Sequence, residues 1–153
     1  MAKSAIKIDD IDLKELTSTI NKLKKFSSQE LSNELGATAL YAVSDMANDV
    51  PVAKVFGGTL KQSLRSERNS PNEVSIVADT NYAAYVEFGT GRYVEVDDLV
   101  KLGVDAQWAY KNFKGKGIRE VNIHPQPYFF KNIRKNLLLM MDRINNKLTN
   151  LMK

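Results

Sequence analysis

The side chains able to do chemistry are few, and they do not converge. The most suggestive is Glu87, a single carboxylate in the stretch Asn81-Tyr82-Ala83-Ala84-Tyr85-Val86-Glu87-Phe88-Gly89-Thr90-Gly91. If buried, it would suit a general acid/base; more often a carboxylate among aromatics is hydrogen-bonded to backbone or faces an arginine across an interface. His124 is the only histidine, and there is no cysteine. That excludes an ordinary zinc site, thiolate chemistry and disulfides. No nucleophile elbow accompanies the histidine, so it reads as a structural or loop residue. Glu95, Asp97 and Asp98 lack calcium-loop spacing and read as a solvated acidic turn. Gly89-Thr90-Gly91-Arg92-Tyr93-Val94 starts like a dinucleotide loop but carries Val94 where the third glycine belongs. Gly57-Gly58-Thr59-Leu60-Lys61 lacks the order of a phosphate loop. The expectation is a non-enzyme with no metal and no cofactor.

The surrounding elements must position that central stretch. Ala83 and Ala84 favour a short helical turn, which would put Tyr82 and Tyr85 on one face, with Val86, Glu87 and Phe88 completing a rigid aromatic wedge. Gly89 and Gly91 supply backbone freedom for a sharp exit into a flexible loop.

At 153 residues, 43% apolar and 26% charged, the chain reads as one soluble domain, residues 1–153, with a sizeable core. No apolar run reaches the ~18 residues of a membrane helix, and the early aspartates do not fit a signal peptide. The net charge of +4 permits a nucleic-acid contact without arguing for one.

Residues 9–50 read as two helices. In the first, over 9–25, Leu13, Leu16, Ile20 and Leu23 share a face, with aspartates at the start and Lys22, Lys24 and Lys25 at the end. Ser27-Ser28-Gln29-Glu30 reads as a capping box opening the second, with Leu31, Leu35, Ala39, Ala42, Met46 and Val50 as its buried stripe and Pro51 as its stop. Gly36 within it would allow a close helix approach.

Residues 59–123 read as hairpin, wedge and insert. After a loop over 51–59, Leu64–Arg68 and Glu73–Ala78 form a hairpin around the turn Asn69-Ser70-Pro71-Asn72. Tyr93–Val96 and Arg119–Ile123 suggest one or two further strands, and Asp98–Tyr110 has loose helical spacing. Lys111–Arg119, with Lys111, Lys114, Lys116 and Arg119, reads as an exposed mobile loop facing a partner or a lumen. Over 125–150, opened by Pro125 and Pro127, Phe130, Leu137, Ile144 and Leu151 recur every seventh residue beside Ile133, Met141 and Leu148. This predicts a long amphipathic helix of about 24 residues, roughly 36 Å. The fold class is therefore α+β: a small antiparallel sheet packed against N-terminal helices and a long C-terminal helix.

The central stretch resembles the signature of the siphophage head–tail connector, or tail-completion, family, which reads close to Tyr-Ala-x-Tyr-Val-Glu-Phe-Gly-Thr. Upstream, Pro51 followed by Gly58-Thr59-Leu60-Lys61-Gln62-Ser63 resembles that family's proline and Thr-Gly-x-Leu-x-x-Ser. Downstream, Pro125-Gln126-Pro127-Tyr128-Phe129 resembles its Pro-x-Gln-Pro-Phe lead-in to a C-terminal helix. The family's Asp-Thr-Gly and its later arginine and proline are absent, and residues 92–122 have no counterpart. The resemblance implies a structural, non-enzymatic subunit of the neck or tail of a long-tailed phage or prophage, made in the bacterial cytoplasm and incorporated into the virion. It implies a homo-oligomeric ring, commonly six-membered, that contacts other neck and tail proteins and meets DNA only passively in the channel, with no membrane partner. The alternative reading is a small basic nucleic-acid-binding module using residues 22–25 and 111–119 with Tyr110 and Phe113.

Overall fold

The computed structural model describes residues 10–52, 58–115 and 121–152. A long N-terminal helix, a long C-terminal helix and a two-stranded antiparallel sheet make an α+β fold. Helix α1 (Asp10–Lys25) runs through a π-helical turn, Phe26–Glu30, directly into α2 (Leu31–Asp49). The capping box expected at Ser27 does not form. Lys25 and Leu31 on either side are both in the helical region, so no helix start exists to cap. The Ser27 and Ser28 hydroxyls instead donate back to the carbonyls of Lys24 and Lys25. Pro51 follows the end of α2 as expected, with Val50 already extended.

A short helix, α3 (Thr59–Ser63), leads into β1 (Leu64–Ser70), which pairs antiparallel with β2 (Glu73–Ala78). The register sets Leu64 opposite Ala78 and Ser66 opposite Ile76. Val74, Ile76 and Ala78 share a half-buried face, the face the alternation predicts. Gly36 of α2 does admit a close approach, by a strand arginine rather than a helix. The Arg68 guanidinium lies over it, donating to the Ser32 carbonyl (3.0 Å), the Ser32 hydroxyl (2.9 Å) and the Pro71 carbonyl (3.1 Å).

Beyond the sheet come α4 (Ala83–Phe88), a 3₁₀ turn (Gly91–Tyr93), α5 (Val96–Lys101), α6 (Ala106–Phe113) and α7 (Phe130–Leu151). The strand expected at Tyr93–Val96 is absent. Two short helices occupy that region, α5 with Asp97 and Asp98 in its first turn and α6 capped by Asp105, whose carboxylate accepts from the Trp108 amide at 2.7 Å. Residues 121–123 take no place in the sheet; 119 and 120 lie outside the described residues. Among the described residues the sheet is the hairpin alone.

Two cores result. One gathers Ala42, Met46 and Val50 of α2, Leu60, Leu64, Ala83 and Tyr128. The other gathers Val94, Leu99, Ala109 and Phe113. Helix α4 joins them: Ala83 and Val86 face the first, Tyr85 and Phe88 the second.

Candidate functional site

The stretch 82–91 is drawn together with residues 121–130. Glu87 is only 6% exposed, and its carboxylate sits on the start of α7. It accepts from the Tyr128 amide at 2.7 Å, the Phe129 amide at 2.8 Å and the Phe130 amide at 3.1 Å. The first amides of a helix have no partner within it, and they carry the positive end of its dipole. A carboxylate from elsewhere in the chain satisfies them here. Of the roles open to Glu87, backbone hydrogen bonding is the one observed. With three amides on its oxygens, Glu87 anchors the start of α7. Tyr128, beneath it, is fully buried, and burial, then the Glu87 carboxylate and then Tyr82, push its phenol up to about 12.

The glycines that follow are pinned rather than flexible. Gly89 takes φ 75°, and a side chain there would meet the Ile123 carbonyl at 2.6 Å and the Pro125 nitrogen at 2.9 Å. Gly91, also left-handed at φ 63°, is buried. Between them the Thr90 amide donates to the Ile123 carbonyl (3.0 Å), its hydroxyl to the Val121 carbonyl, and the Ile123 amide to that hydroxyl (3.1 Å). The Gln126 amide donates to the Val86 carbonyl at 2.8 Å. Residues 121–127 thus form a strap across the end of α4. Pro125 and Pro127 hold the strap extended, so α7 starts at Phe130 rather than in a first turn at Pro125.

The remaining predicted residues divide. Tyr85 meets Phe113 edge-on at 5.0 Å, and Phe88 lies between Phe113 (6.3 Å) and Phe130 (5.8 Å). Tyr82, read with Tyr85 as one face of the wedge, is exposed at the start of α4. His124, exposed, stacks on Tyr93 at 3.6 Å, a structural contact. Lys111 belongs to α6 and Lys114 ends it, so the basic segment begins as helix. Lys116 and Arg119 lie outside the described residues.

Sequence periodicity did not reveal how α7 is held. Its face toward α2 is polar: Asn132, Asn136, Arg143 and Lys147. Asn132 and Lys131 reach Asp49, Asn136 and Lys135 reach Asp45, Arg143 reaches Glu34, and Lys147 bridges Glu30 and Glu34, all between 2.8 and 3.0 Å. The signal was present, unread. Acids four apart on one helix (30 and 34, 45 and 49) match bases four apart on the other (143 and 147, 131 and 135) in antiparallel order. These pairings join Lys131, Lys135, Arg143 and Lys147 of α7 to carboxylates of α2 and the turn before it.

Of the apolar residues of α7, Ile133 packs on the first core, whereas Phe130 and Leu137 are exposed. Phe130, Ile133, Leu137 and Leu138 line an open cleft of about 800 Å³, closed on its other sides by α5 and the strap. Pro125 and Pro127 lie on its wall. On α1, Leu13, Leu16, Ile20 and Leu23 are between 38 and 56% exposed among the described residues. What the arrangement offers is surface for association: a cleft and a half-exposed apolar helix face. No protein family, curated protein or solved structure matches the chain.

Proposed function

We propose that this chain is a structural virion subunit of the phage neck or tail, acting in head–tail joining or tail completion as a member of a homo-oligomeric ring, with no catalytic role. The observation that carries the assembly part is α1: a helix of 16 residues whose apolar stripe is half-exposed among the described residues. A contiguous exposed apolar stripe on a helix marks a surface for association. The phage part rests on the resemblance of residues 82–91 and the flanking pieces. In support of it, the stretch carrying the resemblance is the joint of the fold, where Glu87 and the glycines fix the lead-in to the long C-terminal helix. On this reading the protein is made in the bacterial cytoplasm, ends in the virion, and meets other neck and tail proteins there.

The test is mass in solution by light scattering over a wide concentration range, followed by co-purification with portal-side and tail components. A discrete species at a multiple of 17.2 kDa, six-fold above all, that co-purifies with those components is expected. A monomer at every concentration that captures none of them would overturn the proposal.

A further inference from the structure

Resting on the assembly reading, the geometry points to how copies join: we propose that α1 of one copy lies in the cleft between α5 and α7 of the next. Each chain then supplies one arm and one groove. The arm cannot fill its own groove. The N-terminal half of α7, which lines the cleft, is bound to the C-terminal half of α2 through Lys131–Asp49 and Lys135–Asp45, whereas α1 continues from the opposite end of α2. Helix α2, with 19 residues, separates them by about 28 Å.

The two surfaces match in kind and length. The arm stripe from Leu13 to Leu23 covers about 15 Å, and the cleft-lining part of α7 from Phe130 to Leu138 about 12 Å. Charge agrees as well. The α5 wall carries Glu95 beside the Asp98–Lys101 pair and the α7 wall Arg134, while Lys24 borders the arm stripe and Glu15 lies within its length. Among the described residues none of Glu95, Arg134, Lys24 and Glu15 makes a salt bridge. Pairing two arms in parallel would instead bring the Lys22, Lys24 and Lys25 clusters together, like charge on like. An arm in a groove joins two different surfaces, the heterologous contact that closes into a ring or continues as a filament.

The absence of native cysteine allows a clean test. Leu16 and Leu137 are both exposed, so Leu16→Cys and Leu137→Cys leave the cores intact. Mixed and oxidised, the two single variants are expected to give a covalent dimer containing one of each, and the double variant a ladder of higher species. Each single variant alone should stay monomeric on a denaturing gel. Dimers from Leu16→Cys alone would overturn the proposal in favour of arm–arm pairing. Absence of the mixed dimer from a protein that light scattering finds oligomeric would overturn the docking and leave the assembly reading standing. A protein both monomeric and uncross-linked would overturn both. A second measurement guards the result: Leu16→Glu and Leu137→Glu should each reduce the assembled mass to that of the monomer, and any retained assembly in both would also refute the docking.

Discussion

The two ends of the chain are held in opposite ways. Helix α7 is anchored to its own chain by polar groups: Glu87 on its first amides and a charged seam along α2. Helix α1 is leucine-rich on one side, and among the described residues that side is half-exposed. In a monomer built to stand alone the arrangement would be reversed, with leucines in the seam and charges in water. The difference teaches that the internal contacts here provide position, while the apolar surface that usually stabilises a helix is left outward on both α1 and α7.

Removing the anchor of α7 should have the largest effect. Glu87→Ala leaves three helix-starting amides without an acceptor in a buried place, and stability should fall by about 3 kcal/mol, read from urea unfolding. Glu87→Gln, which keeps one acceptor oxygen but loses the charge, should cost about half of that. A change under ~0.5 kcal/mol for Glu87→Ala would mean that the clasp does not hold α7.

Gly89→Ala comes next. It forces a side chain into a left-handed backbone against the Ile123 carbonyl, at a cost of roughly 2 kcal/mol. The strap should loosen with it, giving faster amide exchange at Ile123 and Gln126; unchanged exchange there would detach the strap from the anchor.

The seam should fail in acid. Arg143, then Lys147, hold the Glu34 carboxyl below its ordinary value of 4.5. Asn136 and Lys135 do the same for Asp45, and Asn132 and Lys131 for Asp49, both below 3.8. Carboxyls depressed in the folded state contribute stability that is fully present above their unfolded values and disappears as pH falls through the folded ones. The melting temperature should therefore be flat from neutrality down to about pH 5 and drop below it, and Glu34→Gln should blunt the drop. A midpoint insensitive to pH between 5 and 3 would remove the seam from the account.

The smallest effect on folding belongs to α1. Ile20→Asn in the stripe should shift the unfolding of the monomer by less than ~0.5 kcal/mol while weakening self-association. Destabilisation as large as that of Glu87→Ala would mean that α1 packs within its own chain after all.

Much of the framework was legible. The α1 stripe, the second half of the α2 stripe (Ala39, Ala42, Met46, Val50), the hairpin alternation and the long final helix follow from periodicities of 3.6 or 2, and the α+β class with them; Leu31, expected in the α2 stripe, is exposed, and Glu34 and Thr38 are buried in that half of the helix instead. The π turn was not legible, because Ser27-x-x-Glu30 has the composition of a cap whether or not a helix starts there. Nor was the absence of a strand at Tyr93–Val96, since Tyr-Val-Glu-Val alternates even where Asp97 and Asp98 begin a helix. At the site, the importance of 82–91 was plain from its residues. The task of Glu87 was not, because its partners are backbone amides 41 to 43 residues away, and amides leave no trace in residue type. The seam left a trace in spacing that only a comparison of two helices could read.

The junction between α1 and α2 carries a last consequence. Because the chain passes from one to the other without a loop, the direction of the leucine stripe is a matter of helical phase. Inserting or deleting one residue within Phe26–Glu30 would rotate the stripe by about 100° relative to α2. In an assembly built from such arms, curvature would be written as an angle along a rod, and a single-residue change in five could alter how many copies complete a turn.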